Sequence, residues 1–104
     1  MWTSVVKILA RLLQVLIEAC IGLAKQWLKQ HQKVIPNDAY ESMQKLADLG
    51  MISGKDLLNW RKVIGMRNAI VHDYLNLDAA LLKAVIESRQ YIALQRFVEQ
   101  MAER

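Results

Sequence analysis

The sequence predicts an all-α fold, an antiparallel bundle of about four helices, and three observations point to it. Apolar residues recur at steps of three and four along most of the chain, and no stretch alternates apolar and polar as a half-buried strand would. One proline and four glycines in 104 residues leave little for a strand-and-turn sandwich or a loop-rich scaffold. A hydrophobic content of 54% beside 23% charged residues suits a packed core and excludes a disordered tail. The length is that of a single domain, expected to span residues 1–104.

The first helix is expected from about Ser4 to Gln30. Ile8, Leu9, Leu12, Leu13, Leu16, Ile17, Cys20, Leu23, Ala24, Trp27 and Leu28 make it apolar on most sides, which reads as a deeply buried helix. Lys7, Arg11, Gln14, Glu18 and Lys25 interrupt the run, so no window of about 20 largely uncharged residues exists to span a membrane. Glu18 also lies inside what would have to be the apolar part of a lipoprotein signal ending at Cys20. The polar, basic stretch from Lys29 to Asn37, with Pro36 near its end, suits a connection. A second helix follows from about Asp38 to Leu49, turning Tyr40, Met43, Leu46 and Ala47 inward, with Gly50 placed for a left-handed cap. Ser53 and Asp56 resemble a capping box, which starts a third helix that runs to about His72. Asp78 would cap a fourth, from about Ala79 to Glu103, with Leu81, Leu82, Val85, Ile86, Ile92, Leu94, Phe97, Val98 and Met101 apolar.

Charge and cysteine usage narrow the function classes. A formal charge of +4 favours anionic partners, though only weakly. One cysteine cannot form an internal disulfide, and with two histidines it cannot make a structural zinc site. Lys25, Lys29, His31 and Lys33 form a run without an acid. They read either as a solvated helix end favoured by the dipole or as a contact to an RNA backbone. Trp2, Trp27 and Trp60 read as packing anchors rather than base-stacking platforms, and Cys20 as an inert core thiol.

The unusual residues lie in helix three. On a 3.6-residue period its apolar side chains point mainly toward Trp60, Ile64 and Val71. Arg67 falls within about 30° of that direction and Tyr74 within about 50°. Asn68 lies at the edge of the stripe, and His72 one turn beyond it. An arginine inside an apolar arc is either paired, snorkelling, or lining a cleft or interface. Asn68 could be a buried hydrogen-bond fixer and His72 a cation at the negative end of the helix. Taken together, the four residues supply a permanent charge, an amide, a titratable base and a phenol, the set that a phosphate-handling site needs.

The stretch Val63-Ile64-Gly65-Met66-Arg67-Asn68-Ala69-Ile70-Val71-His72-Asp73-Tyr74, followed by Leu77-Asp78, resembles the HepT-like branch of the HEPN superfamily. Its mark is Arg, a polar residue, His with four residues between Arg and His, and Tyr two positions on. Arg67, Asn68, His72 and Tyr74 match it in full. Pro36-Asn37-Asp38-Ala39-Tyr40, Leu46 through Ile52, and Leu16-Ile17-Glu18-Ala19-Cys20 are also similar to that family, so the resemblance covers about residues 12 to 100.

The resemblance implies a HEPN-type bundle and a metal-independent ribonuclease acting as the toxin of a prokaryotic type VII toxin–antitoxin pair in the cytoplasm, with no cofactor. It implies a homodimer in which two Arg-His motifs face one cleft, with Arg67 and His72 catalytic and Asn68 supporting. It further implies an MNT-type nucleotidyltransferase antitoxin that transfers AMP to Tyr74. Lys25, Lys29 and Lys33 are the candidate RNA-backbone contacts. The family commonly has another helix, of about 25 residues, before the one read here as first, and only Met1 to Ser4 precede it. Helix one would then lack cover, which leads us to expect a homodimer or larger assembly. Two other readings use the same residues: a non-enzymatic partner that presents Tyr74 or a nucleotide-sized cleft to a nucleotidyltransferase, and a helical oligomerisation domain without a ligand.

Overall fold

The computed structural model describes residues 2–72, 80, 83, 87 and 89–103, with the side chains at 2, 3 and 90 left out. Among the described residues four helices have both bounds set, in chain order: α1 (Trp2–Gln30), α2 (Ala39–Asp48), α3 (Gly54–His72) and α4 (Gln90–Ala102). No strand occurs among the described residues. α1 sets the longest dimension, 47 Å, and touches each of the other three helices, while α2 also packs on α3. The all-α bundle expected from the sequence is therefore present.

The helix ends follow from local chemistry. Asp38 caps α2 by accepting from the Glu41 amide at 3.1 Å. At the other end of α2, Gly50 takes φ +78°, its N–H bonds the Ala47 carbonyl at 3.0 Å, and the Met51 N–H reaches Leu46 at 2.9 Å. This is a Schellman close, and Met51 and Leu46 are both buried beside it. The expected capping box is complete: the Ser53 hydroxyl accepts from the Asp56 amide at 3.0 Å, and the Asp56 carboxylate accepts from the Ser53 amide at 3.3 Å. α1 ends the same way as α2, with Lys33 N–H to the Leu28 carbonyl at 2.8 Å. Its left-handed residue, however, is Gln32 at φ 57°.

The core joins Ile17, Cys20, Ala24 and Leu28 of α1 to Met43 and Leu46 of α2, Trp60, Val63 and Ile64 of α3, and Leu94, Phe97 and Met101 of α4. Trp60 meets Phe97 edge to face, with ring centroids 5.0 Å apart. A second, smaller cluster packs Ile70 of α3 on Val6 and Ala10 of α1. Truncating a fully buried side chain such as Leu28 or Leu46 to alanine would cost about 2–5 kcal/mol.

Three sequence expectations need correction. The fourth helix does not run unbroken from Ala79: Arg89 adopts a left-handed conformation (φ 58°, ψ 31°), and α4 starts after it. Ala80, Lys83 and Glu87 are helical, but Asp78, Leu81, Leu82, Val85 and Ile86 lie outside the described residues. On α3 the buried partner of α1 is Ile70, whereas Val71 is 46% exposed. α1 itself is buried on one side only, since Ile8, Leu12 and Val15 are 59%, 61% and 50% exposed.

Candidate functional site

α3 carries the candidate residues because its first turn is fixed by the Ser53–Asp56 box and its last turn is held on α1 through Ile70. Trp60, Val63, Ile64 and Ile70 are the buried residues of this helix. On a 3.6-residue period Arg67 falls in the middle of the arc they span. Its side chain is half-buried, and its Nε is buried with no hydrogen-bond partner. No carboxylate pairs with it among the described residues. A guanidinium so placed keeps its charge and its remaining N–H groups available to an anion.

Asn68 is exposed, which removes the reading of it as a buried hydrogen-bond fixer. His72 is exposed and is the last residue of α3. Tyr74 lies outside the described residues. Arg67 and His72 share a helix but not a face. Five steps along an ideal helix turn the side-chain direction by about 140° and advance it by about 7.5 Å.

The basic run is partly committed to internal contacts. Lys25 Nζ donates to the Asn37 carbonyl at 3.3 Å, and His31 stacks on Trp27 at 3.9 Å with its Nδ1 2.9 Å from the Trp27 carbonyl oxygen. Lys29 and Lys33 are exposed. Trp60 is buried and Trp27 half-buried, so the packing role expected of them holds. Cys20 is fully buried, its Sγ donating to the Leu94 carbonyl at 3.8 Å, and burial pushes its thiol up to about 11. That thiol is protonated and unreactive at neutral pH. No metal-holding group of His, Cys, Asp or Glu occurs among the described residues.

Sequence reasoning missed a neighbour on α1. Arg11 and Gln14 line one groove with Ile70 and Val71 of α3. The only sign of it in the sequence is a charge and an amide on an otherwise apolar helix, a pattern that also describes a solvated flank.

The profile of the family described as "Ribonuclease HepT-like" matches residues 4–101. The chain belongs to the HepT-like family. The HepT-like chain is 35% identical over 75 residues to a protein named mRNA nuclease HepT from Shewanella oneidensis, an alignment covering 72% of this chain and 56% of that protein. It thus spans little more than half the length of that relative. A chain from a structure described as "Crystal structure of the toxin-antitoxin with AMP-PNP" shares its fold. The TM-score is 0.78 at 28% identity, over 89% of the HepT-like chain and 70% of the other. No helix among the described residues is long and apolar enough to cross a membrane.

Proposed function

We propose that this HepT-like chain is the toxin of a type VII toxin–antitoxin pair and cuts RNA without a metal ion. The observation that carries the reading is Arg67, half-buried with an unpartnered Nε, on a helix whose last residue is His72. The relative named as an mRNA nuclease and the fold neighbour from a toxin–antitoxin structure support the same reading.

The chemistry uses acids and bases that the chain supplies. One His72 takes the proton of a ribose 2′-hydroxyl, and the 2′-oxygen attacks phosphorus. The bond to the 5′-oxygen then breaks as a second acid protonates the leaving group. Imidazole does either job near neutral pH, and a homodimer offers two. Arg67 stabilises the charge that builds on the non-bridging oxygens, worth about 3–4 kcal/mol in comparable oxyanion sites. Asn68, exposed one turn before His72, can bond the phosphate or orient the ring. Lys29 and Lys33 add backbone contacts, and Lys25 does so only by leaving the Asn37 carbonyl. The cytoplasm is the compartment proposed for it.

The partner is an MNT-type nucleotidyltransferase. The Tyr74 phenol oxygen would attack the α-phosphorus of ATP, releasing pyrophosphate and leaving AMP on the ring. That group adds bulk and negative charge near Arg67, where the RNA phosphate must sit. The fold neighbour's structure, solved with AMP-PNP, suits an adenine-nucleotide partner.

RNA cleavage by the pure chain in chelator tests the nuclease reading. His72→Ala and Arg67→Ala should each lose at least about 100-fold, and variants cutting as fast as the parent would refute the assignment. Mass spectrometry after coexpression with a nucleotidyltransferase tests the partner: AMP units should appear on the parent and not on Tyr74→Phe. An inert chain that still gains AMP would instead be a non-enzymatic partner.

A further inference from the structure

The groove between α1 and α3 has a mixed lining. Ile70 and Val71 supply an apolar wall, Gln14 is a buried amide, and Arg11 is an exposed guanidinium. Arg67 precedes Ile70 and Val71 by three and four residues, so it adjoins them on the surface of α3. Arg11 has no ion-pair partner among the described residues. On a 3.6-residue period Lys7, Arg11, Glu18, Lys25 and Lys29 fall along a single line on α1, with Gln14 at its edge. Glu18 is its one carboxylate, and it accepts a hydrogen bond from the Gln14 amide at 3.3 Å. The groove sets the permanent charge of Arg11 beside the apolar wall of Ile70 and Val71, whose low polarity strengthens its field toward an anion.

We propose that Arg11 and Gln14 form a phosphate subsite for a single-stranded RNA backbone, next to Arg67 and distinct from the basic run at Lys29 and Lys33. The proposal rests on the ribonuclease reading for its ligand and adds a residue that positions the strand. Arg11 holds a phosphate flanking the one attacked. Gln14 donates to the same oxygens the second hydrogen of its Nε2, the first being given to Glu18. Lys7, one turn before Arg11 on the same line, gives the strand a direction along α1.

Binding of a fluorescein-labelled oligouridylate to His72→Ala, which should not cut it, measures the subsite across a range of salt. Each neutralised phosphate on a single strand contributes about 0.7 to the slope of log affinity against log salt. Arg11→Gln in that background should lower the slope by about that amount and weaken binding about three- to tenfold. Arg11→Lys should restore the slope. Lys55→Gln removes the same charge at the far end of α3 and should leave the slope unchanged. In the active parent, Arg11→Gln should raise KM by the same factor while kcat stays within about twofold.

No RNA binding by the parent, an unchanged slope in Arg11→Gln, or an equal loss in Lys55→Gln overturns the proposal. A fall in kcat alone also overturns it, because Arg11 would then act on the transition state. The nuclease reading fails separately: a parent that binds RNA with the expected Arg11 dependence but never cuts it keeps the subsite and loses the catalysis.

Discussion

Arg67 and His72 leave α3 about 140° apart, so the two side chains start from different faces of one helix. The buried arc of Trp60, Val63, Ile64 and Ile70 sets the direction of Arg67, while His72 is exposed. Two copies related by a two-fold axis could bring the guanidinium of one against the imidazole of the other. Mixing Arg67→Ala protein with His72→Ala protein then gives heterodimers with one intact pair. Cleavage in the mixture should rise at least about tenfold above either variant alone yet stay below the parent, because the heterodimer keeps one of the two imidazoles. A mixture no faster than its components would place the whole site within one chain.

The second expectation concerns the open side of α1. Val5, Ile8, Leu12 and Val15 are all exposed, and their spacing of three, four and three residues is that of a coiled-coil seam. Leu9, also exposed, widens the strip. Contiguous apolar surface of this kind favours association, so a homodimer or larger assembly is expected at micromolar concentration. Light scattering should show that mass for the parent and a smaller one for Ile8→Gln/Leu12→Gln. Thermal stability should change little beyond the loss of assembly, since neither side chain contributes to the protomer core. A monodisperse parent monomer would refute this.

Much of this architecture was legible in the sequence because it depends on neighbours a few residues apart. The Ser53–Asp56 box and the Gly50 close are local, and each sits where the sequence places it. Met43, Leu46, Leu94 and Phe97 were legible for the same reason, through their helical spacing. The choice of Ile70 over Val71 was not, because it depends on where Val6 and Ala10 of α1 meet α3. Nor was the break at Arg89, which has no glycine or proline to announce it and takes a conformation that Asn or Gly would adopt at less cost. Arg67 stood out as a charge in an apolar arc. Arg11 did not, since its significance comes only from the helix packed beside it.

The two Schellman closes make opposite predictions. Gly50 sits at φ +78°, where a Cβ is strained even though the space around it is open. Gly50→Ala should therefore cost about 1 kcal/mol. Gln32 holds the equivalent place after α1 at φ 57° and already bears that strain. Gln32→Gly should stabilise the fold by about 0.5–1 kcal/mol, less whatever the freer unfolded chain takes back. Denaturant midpoints of the two variants should move in opposite directions at unchanged m-value.

Cys20 gives the fold an alkaline limit. Its thiol ordinarily ionises near 9 and is pushed up to about 11 inside the core, because burial between α1 and α4 disfavours the thiolate. Between those values the unfolded chain releases a proton that the folded chain retains. The unfolded state then binds fewer protons, so unfolding becomes easier as pH rises. The contribution is fully present below pH 9 and lost as pH climbs through about 11. The difference between parent and Cys20→Ala in denaturant melts isolates the thiol, and it should be flat up to pH 9 and shrink above it. A difference that stays flat through pH 11 would mean that the folded thiol ionises as freely as an exposed one and that burial does not hold its proton.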